Sequence, residues 1–462
     1  MSEIRFIIFG TGDFYQRYKI WLPETGCIAL LDNDISKHNK EIDGVKIYPP
    51  ECISDFKYDY VYILSSFYKD MMQQLLMMGV EKNKIRTWKD VVDKDYRKFH
   101  RRYPIKIYGQ YTTGPKSRIL LVSSDLRTTG GNIALLYLTQ VLVDLQYEVA
   151  IASHVDGSLR KEYQKLMVPV IIDYHLEMAN MTECEWAKQF NLIIVNTLWP
   201  WRFLQNRYDI PVIWWLHEPH EFYHDDYVDL FKLREISTKS LYVYGVSDIA
   251  ISAFSQYIPH IPINCLMLGL PDYSVKNKAT VHKKLTFAIV GLLTKIKGQD
   301  IFLNAIKQMD KQSRENCRFL IIGAKANGFA DNVLKVANDM HDVEYLGEIS
   351  HDDIDEEYKK IDVLICASRQ ETLSMVCLEA MSNHIPCIVS DAAGIAQYLH
   401  NRDGWIFPSG NDSLLAKRME WCFLNPDEVV MAGEKARKLY EDNFSITKFR
   451  YKVKNIIEHV LN

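Results

Sequence analysis

Residues 368–391 read SRQETLSMVCLEAMSNHIPCIVSD, and this stretch decides the fold because it joins an apolar strand to a helix through a loop that holds an acidic residue. The preceding run DVLICAS (362–368) is almost fully apolar, which is typical of a buried strand in a parallel sheet. The segment MVCLEAM then predicts a helix, with Thr372 or Ser374 as its N-cap. Glu371 therefore follows the carboxyl end of a strand, where ligands of parallel α/β sheets bind.

The same stretch offers one chemical group for each part of a sugar nucleotide. The free N–H groups of the first helical turn, together with the helix dipole, suit a diphosphate. Glu379 lies within the helix, where its carboxylate can accept hydrogen bonds from adjacent ribose hydroxyls, and Glu371 can reach a sugar beyond the diphosphate. The donor-binding residues predicted from this stretch are Glu371, Thr372, Leu373, Ser374, Met375 and Glu379.

The sequence around these glutamates carries the argument, because two acids at this spacing also occur by chance in a chain rich in acids. Upstream, VGLLTKIKGQDIFLNAI (290–306) places Gly291, Lys295 and Lys297 in the turn after a strand. The two ammonium groups are expected to face the diphosphate across a cleft. Downstream, Asp391-Ala392-Ala393-Gly394 follows the next predicted strand.

The chain of 462 residues is too long for one hydrophobic core. Strands alternate with helices along it, which predicts an α/β protein with parallel, doubly wound sheets. Two consecutive α/β halves, each opening with a strand and a glycine turn, are expected to face one another across a cleft. The predicted parts are an accessory domain at 1–95, a basic and aromatic linker at 96–117, halves at 118–275 and 276–440, and a C-terminal helix at 441–462 that crosses back to the first half.

The strand, the Glu-x7-Glu loop and helix, and the Lys-Gly turn together resemble the family 4 retaining glycosyltransferases of the GT-B fold. The resemblance covers residues 118 to about 455 and is most specific over 285–410. It implies that Glu379 binds ribose, that Glu371 binds the donor sugar, and that Lys297 binds the diphosphate with help from Lys295. It also implies transfer of a sugar from a nucleoside diphosphate of the UDP or GDP type to an acceptor hydroxyl with retention of configuration, with no cofactor and no metal.

Two places depart from the family pattern. Leu292 stands where the family often has arginine, which removes one phosphate cation, and Lys295 is the candidate to replace it. Ala392 and Ala393 stand where paired glycines are common. The alternatives to a transferase are therefore a catalytically silent partner subunit of the same fold, or a sugar-nucleotide epimerase or hydrolase.

The first half holds its own candidates. Gly130 and Gly131 allow a backbone loop to approach a ligand closely, and they match the glycine loop that the family uses near phosphate or acceptor. His217 ends the apolar strand PVIWWL and matches the family's histidine that contacts the donor sugar, so it is predicted to be catalytic together with Glu371 and Lys297. The neighbouring rivals and acceptor candidates are Glu218, His220, Asn196, Trp199 and Trp201.

The N-terminal segment opens with the strand IRFIIFG and a two-glycine turn, Gly10 and Gly12. Asp32 follows Gly12 at the distance of a Rossmann ribose-binding acid, but Tyr15 replaces the third glycine of that fingerprint. The stretch GTGDF…LLDND…IDGVKIYPPE resembles the small Rossmann-like domain found ahead of sugar acyltransferases and other sugar-processing enzymes. Both a nucleotide or sugar-nucleotide site and a purely structural role remain open.

Composition sets the cellular context. A net charge of −4 gives no global attraction to nucleic acid. No secretory leader or membrane-length apolar run is evident, so we expect a cytoplasmic protein. The family resemblance implies a nucleotide-sugar donor and a glycan or lipid-linked acceptor. Surface polysaccharide or glycoconjugate synthesis in bacteria is the expected setting. Residues 94–118 are a solvated connecting helix, or they contact the inner face of the plasma membrane through basic and aromatic side chains. These side chains are Lys94, Tyr96, Arg97, Lys98, Phe99, Arg101, Arg102, Tyr103 and Lys106, ahead of the break at Gly114-Pro115.

Overall fold

The computed structural model describes most of the chain as two compact units, Met1–Pro104 and Ile105–Asn462. The described residues are 4–65, 67–91, 103–111, 117–225, 228–273, 282–326, 328–349, 353–399 and 405–461.

The first unit contains a six-stranded sheet in the order β3-β4-β2-β1-β5-β6, in which all neighbours are parallel except the hairpin β3–β4. Its central strand reads FIIF and is buried along its whole length, as a parallel strand covered on both faces requires. The strands are β1 (Phe6–Phe9), β2 (Cys27–Leu31), β3 (Glu41–Ile42), β4 (Val45–Tyr48), β5 (Tyr60–Ile63) and β6 (Ile85–Thr87). The helices are α1 (Asp13–Tyr18), α2 (Tyr68–Met77) and α3 (Trp88–Val91).

The second unit begins with an eight-stranded sheet in the order β14-β13-β12-β11-β8-β9-β10-β7, parallel except at the edge strand β7. The strands are β7 (Lys106–Tyr108), β8 (Arg118–Ser123), β9 (Glu148–Ser153), β10 (Val170–Ile172), β11 (Leu192–Asn196), β12 (Val212–Leu216), β13 (Leu241–Gly245) and β14 (Ile263–Cys265). The helices are α4 (Gly130–Asp144), α5 (Arg160–Lys165), α6 (Leu230–Arg234) and α7 (Asp248–Tyr257). The term "first half" is used below for this sheet and its helices.

The strand β7 lies within residues 96–117, the predicted linker. It pairs antiparallel with β10 through only three residues, two of which are exposed, so its sequence carries little strand signal. Most of the basic and aromatic side chains of this segment, from Tyr96 to Arg102, and the break at Gly114-Pro115 lie outside the described residues.

The second half of this unit contains a six-stranded, fully parallel sheet in the order β17-β16-β15-β18-β19-β20. The strands are β15 (Leu285–Val290), β16 (Cys317–Ile322), β17 (Val343–Gly347), β18 (Val363–Cys366), β19 (Cys387–Ser390) and β20 (Trp405–Phe407). The helices are α8 (Gln299–Gln308), α9 (Lys311–Glu315), α10 (Gly328–Asn338), α11 (Ile354–Tyr358), α12 (Met375–Ser382), α13 (Asp412–Leu424), α14 (Pro426–Asn443) and α15 (Ile446–Leu461).

The last helix, α15, packs on the first half. Its buried residues Phe449, Val453 and Ile457 recur at helical spacing and form one apolar face. The Phe449 ring stacks on Trp215 of β12 with centroids 5.7 Å apart, and Arg450 donates to the carbonyl oxygen of Asp144 at the end of α4 over 3.1 Å. The chain therefore returns to the first half after it has built the second.

The two chain segments that connect the halves, one at Leu270 and one at 444–446, lie side by side. The backbone N–H of Leu270 donates to the carbonyl of Phe444 over 2.8 Å, and Ile446 N–H donates to the carbonyl of Leu270 over the same distance. The Tyr440 hydroxyl donates to the Leu270 carbonyl over 2.9 Å.

None of the helices in the described part of the chain combines the length and the apolar character needed to cross a membrane.

Candidate functional site

The turn after β15 is shaped by two glycines. Gly291 has φ 144° and Gly298 has φ 76°, a region that favours glycine. A β-carbon at Gly298 would lie 2.1 Å from the carbonyl oxygen of Ala367, so only glycine lets this turn approach the end of β18. The turn carries Lys297 toward the loop that holds Glu371.

The Lys297 ammonium contacts the Glu371 carboxylate, Nζ to Oε2. The Ser368 hydroxyl lies 3.4 Å from the same oxygen. Burial by itself lowers the pKa of Lys297, but the charge of Glu371 outweighs it and holds that pKa above its ordinary value. Lys297 is therefore a cation at neutral pH, fixed at the edge of the sheet.

The loop between β18 and α12 is fastened to the segment after β19. Glu371 N–H donates to the carbonyl of Ala392 over 3.2 Å, and Gly394 N–H donates to the carbonyl of Glu371 over 2.8 Å. A β-carbon at Gly394 would lie 1.9 Å from the Thr372 carbonyl oxygen, so glycine is required there. Ala392 and Ala393, which stand where the family often has paired glycines, therefore do not disrupt these two hydrogen bonds.

The first turn of α12 has no side-chain cap. Ser374 occupies the N-cap position, but its φ of 86° directs its Oγ to Cys377 Sγ, 3.3 Å away, and it makes no capping hydrogen bond. The prediction of Thr372 or Ser374 as the N-cap residue is therefore confirmed at Ser374, although this residue forms no side-chain capping bond. Leu373 is buried, so its side chain faces the core. The N–H groups at the start of α12 keep their capacity to bind an anion.

Glu379 lies one turn into α12 and is 9% exposed. The hydroxyl of Tyr358, at the end of α11, donates to Glu379 Oε2 over 2.7 Å. Tyr358 itself is 1% exposed, and burial followed by the charge of Glu379 raises its pKa well above the ordinary value. The sequence analysis missed Tyr358 because nothing in its local pattern connects it with a glutamate in another helix.

A second helix begins close to α12. Gly130 and Gly131 open α4, whose N-cap residue Thr129 also makes no side-chain capping bond. A β-carbon at Gly130 would lie 3.6 Å from the sulfur of Met375, the first residue of α12. The uncapped starts of two helices, one from each half, thus converge at one place.

His217 follows β12 and lies beside Gly131. Its ring packs edge-on against Trp215 with centroids 4.6 Å apart, and burial lowers its pKa to about 3, so the imidazole is neutral at physiological pH. The rival Glu218 is 4% exposed, and burial raises the pKa of its carboxyl group to about 7. Backbone N–H groups that donate to this carboxylate favour its charged form and partly oppose the shift. One of them is the N–H of His217, 3.0 Å away. The other rival, His220, packs against the Tyr257 ring.

The remaining predicted residues differ from one another in exposure. The side chain of Lys295 is exposed, and its carbonyl oxygen accepts a hydrogen bond from Arg369 over 2.6 Å. Leu292 is 47% exposed. Trp201 is fully buried, so its nomination as an acceptor contact was wrong, whereas Trp199 is half-buried and packs edge-on against Phe222.

Arg369 is a second residue that the sequence analysis missed. It lies in the Glu371 loop and forms a bidentate ion pair with Asp300 of α8, at 2.9 and 2.8 Å. Its backbone N–H also donates to the carbonyl of Ile296 over 2.7 Å. These bonds clamp the loop of Glu371 to the turn of Lys297.

In the first unit, Asp32 faces its own glycine turn. Its Oδ2 accepts hydrogen bonds from the Thr11 N–H at 2.9 Å and from the Thr11 hydroxyl, and it lies 3.1 Å from Lys37 Nζ. Its Oδ1 accepts a hydrogen bond from the Asp34 N–H at 2.9 Å. Burial raises the pKa of Asp32, but these donors outweigh it and lower that pKa below its usual range. Because these hydrogen bonds already occupy the Asp32 carboxylate, they favour a structural role for Asp32 over a nucleotide-binding one. Gly10 has φ 101° against the Leu64 carbonyl, and Gly12 precedes α1 with open space beside it.

Over the described residues, no group of three or more His, Cys, Asp or Glu side chains is placed to hold a metal ion. The comparisons with known proteins then bear on all three sheets. Residues 116–242 match the family model described as glycosyl-transferase family 4, and residues 274–439 match glycosyl transferases group 1. Residues 2–86 match a model described as C2185-like, N-terminal.

Among curated proteins, the chain is 27% identical to spore coat protein SA of Bacillus subtilis over 184 residues, which is 37% of this chain and 48% of that protein. It thus spans about half the length of that relative. It is 24% identical over 264 residues to an uncharacterized glycosyltransferase of Methanocaldococcus jannaschii, covering 56% of this chain and 71% of that one.

Among solved structures, HepE of Anabaena in complex with UDP and glucose superimposes with a TM-score of 0.64 at 16% identity, covering 74% of this chain and 100% of that one. At this identity the likeness speaks for the fold, and it gives the two sheets of the second unit the GT-B arrangement. Each half of the second unit thus matches a family model, and together the two matches support a group 1 glycosyltransferase of family 4.

Proposed function

We propose that this chain transfers a sugar from a nucleoside diphosphate to an acceptor hydroxyl with retention at the anomeric carbon. The observation that carries the proposal is the position of Lys297, paired with Glu371 beside the uncapped start of α12. Charge grows on the diphosphate as the anomeric carbon–oxygen bond breaks. A fixed cation and free N–H groups at that place stabilise the departing group more than the bound donor, which accelerates the reaction.

The two converging helix starts supply most of the proposed anion site. The first turns of α12 and α4 offer backbone N–H groups without a capping side chain, and Lys297 adds a full charge. Removal of one such preorganised donor costs about 2.7–4 kcal/mol in comparable oxyanion sites. The neutral imidazole of His217 is suited to a sugar hydroxyl, because it can form a hydrogen bond there without a charge.

The proposed nucleotide end lies further along α12. Glu379 accepts from the ribose hydroxyls of a UDP- or GDP-type donor, with Tyr358 holding one of its oxygens. Glu371 accepts from the donor sugar while it holds Lys297 in place. A hydrogen bond to a charged group contributes about 1.5–3 kcal/mol, so these two carboxylates account for much of the donor affinity.

The proposed acceptor is a glycan or a lipid-linked sugar in bacterial surface polysaccharide or glycoconjugate synthesis, and the proposed location is the cytoplasm or the inner face of the plasma membrane. Similarity to a spore coat protein, and to a structure that holds UDP and glucose, supports this setting. No cofactor or metal ion is required by the proposed chemistry, because Lys297 and backbone amides carry the diphosphate.

One observation favours a second candidate, a silent partner subunit of the same fold. Leu292 is half-exposed at the turn where the family often places a cation. Such a protein would bind a sugar nucleotide without turning it over. A hydrolase or epimerase would instead form product without any acceptor.

The test is isothermal titration with UDP-, GDP-, TDP- and ADP-sugars, followed by turnover of the ligand that binds. Lys297→Met should lower kcat by about 10²–10³. Lys239→Met is the control, because Lys239 pairs with Asp209 on the exposed surface of the first half at 2.9 Å. Equal turnover in wild type and Lys297→Met would contradict the proposal, as would wild type that binds none of the four donors.

A further inference from the structure

Arg369 contacts the turn of Lys297 on both sides of that lysine. Ahead of Lys297, Arg369 Nη1 donates to the carbonyl oxygen of Lys295 over 2.6 Å, and the Arg369 N–H donates to that of Ile296 over 2.7 Å. Beyond Lys297, the guanidinium forms its bidentate pair with the Asp300 carboxylate at 2.9 and 2.8 Å. Arg369 therefore holds the turn both before and after its cation.

The first part of the same turn, at Gly291 and Leu292, is fastened by another side chain. Gln299 is fully buried, and its Nε2 donates to the carbonyl oxygen of Leu292 over 3.1 Å. The aliphatic stem of Lys297 lies over Gly291, because a β-carbon there would lie 3.8–3.9 Å from three carbons of that stem. With the first part of the turn held from the interior, the direction of the Lys297 stem depends on where Arg369 holds the second part.

The direct contact between the two loops joins Lys297 to Glu371. Under the proposed function this contact cannot be their permanent attachment, because Lys297 is assigned to the diphosphate of the donor and Glu371 to its sugar. A bound donor therefore competes with the ion pair that joins the loops in its absence. The pair of Arg369 with Asp300 has no such competitor, since neither residue is assigned to the donor.

We infer that Arg369 and Asp300 form a positioning pair that keeps the Lys297 ammonium at the place where charge develops on the diphosphate. Neither residue touches the ligand, and both act through Lys297. A cation stabilises the departing group most when it is already in place as the charge develops, so a firmly held turn lowers the barrier more than it strengthens donor binding. The inference rests on the proposed function and deepens it by adding two residues that act in the transfer step.

An ordinary surface ion pair is the competing explanation. The side chains of Arg369 and Asp300 are 33% and 34% exposed, and ion pairs at such exposure contribute little to the stability of a folded chain. A purely structural role therefore predicts a small change in melting temperature and no specific effect on transfer. The positioning role predicts an equally small change in melting temperature together with a large loss of kcat.

Arg369→Met and Asp300→Asn remove the pair from either side while they preserve the length or the shape of the side chain. We expect each to lower kcat by about ten- to a hundredfold, because a misplacement of about 1 Å at a reacting centre costs up to that much. The dissociation constant of the nucleoside diphosphate should change by no more than about threefold, since the ground state gains less from the position of the cation.

Arg314→Met is the matched control. Arg314 forms a bidentate pair with the carboxylate of Asp342, which directly precedes β17 at the opposite, amino-terminal edge of the same sheet. The control removes an ion pair of the same kind at a distance from the turn of Lys297. Its kcat should equal that of wild type.

Combination with Lys297→Met tests whether the pair acts through Lys297. If it does, adding Arg369→Met to Lys297→Met lowers kcat no further, because the group that the pair positions is already absent. Arg369→Met combined with Asp300→Asn should likewise be no slower than the slower single variant. Multiplication of the separate factors in either combination would overturn the inference.

A measurement without turnover separates this inference from the proposed function. Brief labelling with acetic anhydride, quantified by mass spectrometry of the peptide that contains Lys297, reports how often its amine is released from Glu371. The labelled fraction should rise at least about twofold in Arg369→Met, because the turn then opens more often, and it should equal wild type in Arg314→Met.

Two results would overturn the positioning role: equal labelling of Lys297 in wild type, Arg369→Met and Arg314→Met, or a wild-type kcat in Arg369→Met. A wild type that turns over no sugar nucleotide contradicts the proposed function instead. In that case the labelling alone decides whether the pair positions Lys297.

Discussion

Replacing Tyr358 with phenylalanine removes the hydroxyl that donates to Glu379 while the ring remains in the core. We expect two effects. The buried carboxylate loses a charge-assisted hydrogen bond, which should lower the free energy of unfolding by about 1.5–3 kcal/mol. Glu379 also regains rotamer freedom, and nucleotide binding must then order it.

The size of the second effect follows from side-chain entropy. Ordering a glutamate side chain costs up to about 1.5–2 kcal/mol, a cost that the Tyr358 hydroxyl meets in advance. Without that bond, the dissociation constant of the nucleoside diphosphate should rise about tenfold, since each 1.4 kcal/mol is a factor of ten. The effect should be confined to ligands whose ribose carries the hydroxyls that Glu379 is proposed to bind.

Isothermal titration with the preferred nucleoside diphosphate and its 2′-deoxy and 3′-deoxy analogues measures this. In wild type the deoxy analogues should bind more weakly; in Tyr358→Phe that difference should shrink. Tyr15→Phe is the matched control, because Tyr15 donates to the Asp43 carboxylate over 2.8 Å in the first unit. A Tyr358→Phe variant that loses stability but discriminates against deoxy analogues as wild type does would refute the positioning role and leave only a structural one.

Three further predictions follow from the site and the fold. Turnover should survive EDTA, because the proposed holders of the diphosphate are Lys297 and backbone amides; loss of activity with rescue by manganese would contradict this. Burial raises the pKa of Glu218 from 4.5 to about 7, so the folded protein retains a proton that the unfolded chain releases, and stability should fall as pH rises from about 4.5 through 7. In Glu218→Gln, denaturant titrations at pH 5 and pH 8 should show less of that fall, and an identical fall would disprove the assignment. A chain that begins at Ile105 should fold and retain turnover, whereas one that begins at Gly114 lacks β7 and should aggregate through the exposed edge of β10; equal behaviour of the two would show that β7 is dispensable.

The sequence predicted the fold class well because the central strands of a parallel sheet are continuous apolar runs. The run LTFAIVG (285–291) became β15 and DVLICAS (362–368) became β18, each followed by its glycine turn or acidic loop. The GT-B expectation and the resemblance to family 4 glycosyltransferases are confirmed by the fold and by the family models, whereas retention of configuration stays a prediction. The short edge strand β7 was not predicted, because three residues with two exposed side chains give no apolar pattern.

The candidate site was predictable in its loops and less so in its contacts. Spacing placed Glu371 and Lys297 at the ends of adjacent strands, and the structure brings them together. Their roles toward a donor stay predictions. Tyr358 reaches Glu379 from another helix, and Thr197, with φ 71°, forms backbone hydrogen bonds with two tryptophans of the neighbouring strand β12, so neither contact leaves a trace in the local sequence.

The return of α15 to the first half has a consequence for synthesis. Val453 and Ile457 of this helix line one small cavity together with Leu138 and Ile213, so the last helix contributes to a core whose other members leave the ribosome much earlier. At about 5–20 residues per second, the intervening half takes on the order of ten to thirty seconds to translate. During that interval the nascent first half is expected to expose the apolar surface that α15 covers in the folded protein, and a chain that ends before Ile446 would leave this surface uncovered.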